Sequence, residues 1–96
     1  MSLFVLLIGC ADTSITGDAA AGETIYTDNC AVCHGADGTG DDAAGYPSLV
    51  KEKPPVDETI DLVTNGEGDM PSFSGSLSEQ DIADVAAYVD ETFVNP

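Results

Sequence analysis

The sequence predicts a small all-α domain, and three observations support this class. Apolar residues recur three and four positions apart in two segments, one near the start and one at the end of the folded part, which is the spacing of one helix face. Residues that typically cap helices precede three segments. The stretches between them are rich in Gly, Asp and Pro and show no alternating pattern that would indicate a strand.

The first predicted helix covers roughly residues 19 to 31, with Asp18 placed to cap its N-terminus. One stripe of this helix, at spacings of three and four, consists of Gly22, Ile25, Tyr26 and Asn29. We therefore expect this stripe to face the interior of the domain.

A second, shorter helix is predicted after the segment PPVDE. Asp57 is placed to cap it, Ile60 and Val63 share one face, and Gly66 follows at the position where helices commonly end.

The last helix has the clearest signals. Ser78 and Asp81 form a capping box in which Asp takes the place of Glu, and Leu77 with Ile82 fits a hydrophobic staple. The helical apolar stripe consists of Ile82, Val85, Ala86, Val89 and Phe93. Asn95 and Pro96 end the run.

Length and composition indicate one domain with a modest core. The chain has 96 residues, 10 glycines, five prolines and no tryptophan, and domains this poor in bulky side chains usually depend on a disulfide, a metal or a bound group. The 18 acidic residues outweigh Lys51 and Lys53. This balance argues against nucleic acid or an anionic membrane as partner and favours a protein with a basic docking surface. A generally solvating acidic surface, as in high-salt organisms, explains the charge equally well.

The N-terminus resembles an export signal. Residues 3 to 8 form an apolar run too short to span a bilayer, and LIGC, which ends at Cys10, resembles the lipobox of bacterial lipoproteins. We expect residues 1–9 to be the signal, residues 10–17 a lipidated cysteine with a flexible linker, and residues 18–96 the folded domain. A signal peptide normally opens with a positive charge, and none precedes this apolar run. A trimmed ordinary signal peptide with an incidental thiol at Cys10 is the alternative.

Two cysteines and the only histidine lie within five positions, as Cys30, Cys33 and His34. If the first helix continues through them, all three side chains emerge on one face. Cys-x-x-Cys-His is the attachment pattern of c-type haem, in which both thiols form thioethers and the imidazole reaches the iron. Three alternatives are weaker. Zinc lacks a second ligand pair, a thioredoxin-type pair lacks a βαβ context, and a disulfide would close too short a loop to stabilise much.

A second axial ligand must come from elsewhere, because no other histidine exists. Met70 is the one methionine left once Met1 is removed with the signal, and it lies in a loop, GEGDMPSFSG, with no amphipathic period that would bury it in a helix. A lone methionine is more often a core gap-filler. Here its flanking residues favour a ligand.

On these residues the chain resembles the class I monohaem c-type cytochromes, closest to the short bacterial and algal kind, from about residue 18 to residue 93. The matching motifs are Gly22 with Tyr26 and Tyr88 where two helices cross, Pro47-Ser48-Leu49 after the haem histidine, and Met70-Pro71-Ser72-Phe73. Gly22 would allow a close helix crossing that outweighs its helix cost of about 1 kcal/mol.

The resemblance implies a site and a cofactor. It predicts a small cytochrome c fold around one haem c, held by thioethers to Cys30 and Cys33 and by axial His34 and Met70. It implies that the Pro47 carbonyl orients the imidazole. The further haem-lining residues that it implies are Tyr46, Pro47, Leu49 and Phe73.

The resemblance also implies a function: a one-electron carrier rather than an enzyme, a monomer acting with redox-partner proteins in the periplasm or another extracytoplasmic space. Membrane contact would come through lipidated Cys10. Two alternatives stay open: a haem-bearing subunit of a larger oxidoreductase, and a haem enzyme or gas sensor in which Met70 is displaceable.

Overall fold

Two long helices cross at the centre of the fold and carry most of its buried side chains. The computed structural model describes residues 16–96, so the predicted export signal and Cys10 lie outside the described residues. A π-helical segment follows the last helix directly. The elements are α1 (Ala19–Asn29), α2 (Ala31–His34), α3 (Leu49–Glu52), α4 (Val56–Asn65), α5 (Glu79–Val89) and the π segment Asp90–Val94. Residues 16–96 contain two isolated β-bridges and no strand, which confirms the all-α prediction.

Helix α1 begins as predicted but ends earlier. The Asp18 carboxylate accepts a hydrogen bond from the Ala20 N–H at 3.0 Å. The prediction of one continuous helix to residue 31 was wrong, because Cys30, with φ −111° and ψ −34°, interrupts the helix, so that α1 ends at Asn29 and α2 begins at Ala31. The chain still turns like a helix here, since the His34 N–H donates to the Cys30 carbonyl at 3.0 Å.

Helix α4 begins one residue before the predicted cap. Pro55, in an extended conformation, is the N-cap, and α4 starts at Val56. The prediction of Asp57 as the cap was therefore wrong. Asp57 lies in the first turn instead, where the helix dipole favours a carboxylate, and it accepts from the Glu58 N–H at 3.0 Å. Gly66 ends the helix as predicted.

Helix α3 is an element that sequence reasoning did not predict. The Ser48 hydroxyl caps it by accepting from the Lys51 N–H at 3.2 Å, and it ends at Lys53, whose φ of 50° is left-handed. Four residues are too few to show a helical apolar period, so no sequence pattern predicted this short helix.

Helix α5 confirms the predicted capping box. The Ser78 hydroxyl accepts from the Asp81 N–H at 3.0 Å, and the Asp81 carboxylate accepts from the Ser78 N–H at 3.1 Å. All members of the predicted apolar stripe are buried, including Phe93 in the π segment. That segment closes with a hydrogen bond from the Asn95 N–H to the Asp90 carbonyl at 2.6 Å.

Helices α1 and α5 cross at Gly22, as the sequence predicted. A Cβ on Gly22 would overlap the backbone carbonyl of Asp84 and lie 2.9 Å from the Cβ of Tyr88. Next to this contact, three aromatic rings pack against one another. Their centroids are 5.4 Å apart for Tyr26 and Tyr88, 5.3 Å for Tyr26 and Phe93, and 5.8 Å for Tyr88 and Phe93.

A buried carboxylate joins the start of α1 to α5. Asp84, 6% exposed, accepts from the Asp18 N–H and from the Gln80 amide, both at 2.8 Å. The same Gln80 amide donates to the Thr16 carbonyl at 2.9 Å. The described end of the predicted linker thus contacts the last helix. Within residues 16–96, no helix has the length and apolar character needed to cross a membrane.

Candidate haem site

All eight residues predicted for the haem site line one cavity of about 500 Å³. They are Cys30, Cys33, His34, Tyr46, Pro47, Leu49, Met70 and Phe73. The volume lies within the range of about 300 to 1,000 Å³ typical of pockets for organic ligands. The cavity walls come from all five helices and the loops between them, so the crossing of α1 and α5 positions one wall, and the shorter helices and the loops supply the others.

His34 is oriented for metal binding by a backbone acceptor. Its Nδ1 lies 3.0 Å from the Pro47 carbonyl oxygen. Because a carbonyl can only accept, this contact requires the proton on Nδ1 and leaves the Nε2 lone pair free for a metal. Such a contact is typical of metal-binding histidines.

The loop that carries Met70 is tied to α4 by backbone and side-chain hydrogen bonds. The Phe73 N–H donates to the Val63 carbonyl at 2.9 Å, and the Ser72 hydroxyl donates to the Thr64 carbonyl at 2.6 Å. Gly66 is required where the loop leaves the helix: its φ is 76°, and a Cβ would lie 2.6 Å from the Met70 carbonyl oxygen. Met70 itself is half-buried and lines the cavity.

The two cysteines are free thiols on the same wall. Burial, followed by the charge of Cys33, raises the pKa of the Cys30 thiol to about 11, so this thiol is neutral at pH 7. Tyr46 interacts with the other thiol, that of Cys33. A hydrogen bond first, and then charge repulsion, raise the pKa of the Tyr46 phenol.

Tyr26 connects the helix crossing to the cavity. Its hydroxyl donates to the Gly35 carbonyl at 2.6 Å, directly after His34. Burial raises the pKa of Tyr26 well above its usual range, so the phenol remains a donor. This hydrogen bond fastens the segment of His34 to α1.

The residues present fit a covalently bound haem. Two thiols, an oriented imidazole and a thioether line one largely apolar cavity, and this set of groups matches c-type haem attachment with a His/Met ligand pair. Among residues 16–96, no three His, Cys, Asp or Glu side chains cluster as metal ligands. The zinc alternative therefore gains no support from the described part of the chain.

Sequence reasoning missed the contribution of α4 to the cavity. Thr59, Leu62 and Val63 line it from this helix. Val63 was predicted to share a helix face with Ile60, and Thr59 precedes Val63 by four residues, the spacing that shares a helix face. The helical spacing therefore indicated Thr59, but threonine is not an apolar residue and was not counted in the apolar pattern.

Comparisons with known proteins identify the family of this chain. The family model described as cytochrome c oxidase, cbb3-type, subunit III matches residues 17–89. Cytochrome c6 of Picosynechococcus sp. is 38% identical, and the alignment covers 85% of this chain and 80% of that protein. The cbb3-type cytochrome c oxidase subunit CcoP of Cereibacter sphaeroides is 41% identical, over 74% of this chain but only 26% of the subunit.

A solved structure supports the fold as well. Cytochrome c6 from the diatom Phaeodactylum tricornutum superimposes with a TM-score of 0.67 at 40% sequence identity, covering 78% of this chain and 93% of that one. The all-α cytochrome c fold predicted from the sequence is thus confirmed. The chain belongs to the class I c-type cytochromes, the electron-transfer proteins that carry covalently attached haem c.

Proposed function

We propose that this chain is a one-electron carrier in which Cys30 and Cys33 attach the haem and His34 and Met70 are its axial ligands. The observation that carries this proposal is that all four side chains line one cavity, with His34 already oriented by the Pro47 carbonyl. Bound haem supplies an iron that alternates between ferrous and ferric states. Thioether sulfur favours the ferrous state, so Met70 raises the reduction potential.

The ligand pair also explains why the function is transfer and not catalysis. With both His34 and Met70 bound to it, the iron would have no open position for a substrate. Tyr46, Pro47, Leu49 and Phe73 line the cavity beside the two proposed ligands. This arrangement disfavours the haem enzyme or gas sensor with a displaceable Met70.

The Met70→Ala variant tests this assignment. We expect the oxidised wild-type protein to show a methionine-to-iron charge-transfer absorption, and the variant to lose it and to have a lower reduction potential. Ser74→Ala is the matched control, because Ser74 is an exposed residue of the same loop that does not line the cavity, and its substitution leaves the thioether in place. An oxidised wild-type protein without the charge-transfer absorption would contradict the carrier assignment.

A haem-bearing subunit of a larger oxidoreductase is the second candidate, because the matching family model is an oxidase subunit. The chain spans about a quarter of the length of CcoP, but four-fifths of a cytochrome c6, which favours an independent carrier. Purification of the native protein alone, as a reducible monomer, would decide for the carrier.

We further propose an extracytoplasmic location with a lipid on Cys10. The class of c-type cytochromes and the apolar run before Cys10 support this placement. Mass spectrometry of the native mature protein is expected to show a chain that begins at Cys10 and carries both haem and acyl groups. The Cys10→Ser variant should keep the haem and lose the acyl mass. A mature chain that begins elsewhere would contradict the lipid anchor.

We also propose that the acidic surface directs the carrier to redox partners with basic docking surfaces. A net charge of −16 steers cationic partners and repels anionic ones, and salt screens both effects. The rate of electron transfer from the reduced protein to a small cationic oxidant, tris(1,10-phenanthroline)cobalt(III), is expected to fall roughly tenfold or more between 10 mM and 1 M salt. The rate with anionic ferricyanide should rise. Equal salt dependence for both oxidants would rule out this steering.

A further inference from the structure

The carbonyl group that orients His34 is in close contact with Gly40. A Cβ on Gly40 would lie 2.5 Å from the Pro47 carbonyl oxygen and 2.6 Å from the carbonyl carbon. This oxygen is the atom that lies 3.0 Å from the Nδ1 of His34. The backbone of Gly40 therefore passes so near to the acceptor of the imidazole that a side chain has no room.

Gly40 is also bonded to the main chain of His34. Its N–H donates to the His34 carbonyl at 2.7 Å, while the imidazole of His34 donates to the Pro47 carbonyl. Gly40 thus contacts both the backbone of the histidine and the acceptor of its side chain. With a φ of 70°, its backbone is in the left-handed region that glycine adopts at little cost.

Hydrogen bonds on both sides of this contact hold the two segments together. Asp41 and Tyr46 exchange two backbone hydrogen bonds of 2.9 Å, and the Gly38 carbonyl accepts from the Leu49 N–H at 2.7 Å. Gly40 lies between these two connections on one segment, and the acceptor carbonyl lies between them on the other. A side chain at Gly40 would therefore have to displace this carbonyl or break the connections.

We propose that Gly40 is a positioning residue that sets the hydrogen bond between His34 and the Pro47 carbonyl, and through it the reduction potential of the haem. This role rests on the proposed function, in which His34 binds the iron. A hydrogen bond donated by Nδ1–H makes the imidazole a more basic ligand. A more basic ligand stabilises ferric iron, so a weaker hydrogen bond raises the potential.

The Gly40→Ala variant of the haem-loaded protein tests this role. The Pro47 oxygen would have to move by roughly 1 Å to reach an ordinary van der Waals distance from the new Cβ. The imidazole blocks a movement of this size toward Nδ1, so the hydrogen bond lengthens or bends. In the reduced protein, we expect the proton resonance of His34 Nδ1–H to shift upfield. The reduction potential should shift upward, and the methionine charge-transfer absorption of the oxidised protein should remain.

Gly68→Ala is the matched control. Gly68 has a φ of 59°, its Cβ would meet nothing within 4 Å, and it is not a cavity residue. An alanine there has the same strained backbone as in Gly40→Ala, without the contact to a carbonyl. The His34 resonance and the potential should keep their wild-type values. Equal shifts in both variants would assign the effect to backbone strain and overturn the proposal.

A second pair of variants covers the case in which Gly40→Ala does not accumulate. Pro47→Ala keeps the carbonyl and releases the fixed φ of proline, so the chain can adjust to the added Cβ. The double variant Gly40→Ala/Pro47→Ala should have a higher potential than Pro47→Ala alone. Loss of haem from both proteins that carry Gly40→Ala would assign Gly40 to folding alone and would also overturn the proposal.

The wild-type spectrum separates this inference from the proposed function. A wild-type protein with the methionine charge-transfer absorption, together with a Gly40→Ala protein of unchanged His34 resonance and potential, would overturn only the role of Gly40. A colourless wild-type protein would overturn both.

Discussion

Protein in which both attachment cysteines are replaced, Cys30→Ser/Cys33→Ser, is expected to be haem-free and to lose most of its helical circular dichroism. The reason is that part of the buried core also forms the wall of the cavity. Several core side chains also line the cavity, namely Tyr26, Val63, Val85 and Val89. Without the porphyrin they face an empty or water-filled space. Each Å² of their apolar surface that meets water instead of the porphyrin loses about 25 cal/mol of stabilisation, and the whole stability of a domain is only about 5 to 15 kcal/mol.

Val32 provides the control for this experiment. It lies between the two cysteines, lines the cavity and is 84% exposed, so Val32→Ser changes the same segment while both thiols and the buried core side chains stay in place. This variant should retain its haem absorption and its helical circular dichroism. A double-cysteine variant that is colourless but has a native-like helical spectrum would show that the polypeptide folds without its cofactor.

The Gly22→Ala variant is expected to lower the free energy of unfolding by about 3 kcal/mol or more, beyond the usual range of overpacking, because the added Cβ meets backbone. An alanine at this position would overlap the Asp84 carbonyl and crowd the Cβ of Tyr88. Helices α1 and α5 would have to separate, and the packing of Tyr26 against Tyr88 would loosen. By helix propensity alone the same substitution should stabilise by about 1 kcal/mol. The sign of the change therefore distinguishes packing from propensity.

Chemical denaturation of the haem-loaded protein measures this difference. Gly75→Ala is the matched control, because it makes the same chemical change at a loop glycine whose Cβ would meet nothing within 4 Å. Its free energy of unfolding should stay within about 0.5 kcal/mol of the wild type. A Gly22→Ala protein as stable as the control would mean that α1 and α5 do not cross as closely as Gly22 and Asp84 indicate.

The haem site could be predicted from sequence where its groups are close together or rare. Cys30, Cys33 and His34 form a short pattern with one common chemical use, and Met70 is the one methionine outside the N-terminal segment. Helix caps were predictable for a similar reason: the capping box of Ser78 and Asp81 is made by residues three positions apart. Asp57 was misplaced because a carboxylate is favoured both at the cap and in the first turn.

The sequence by itself determined the fold class, the haem attachment pattern and the caps of α1 and α5, because these depend on residue type and on spacings of a few positions. Only the tertiary structure decided that α4 lines the cavity, that Asp84 joins α5 to the start of α1, and that a π segment buries Phe93. These features depend on contacts between segments that are far apart in the sequence. Residues that look equivalent by their local spacing become different once two helices pack, because only some of them meet the neighbouring helix.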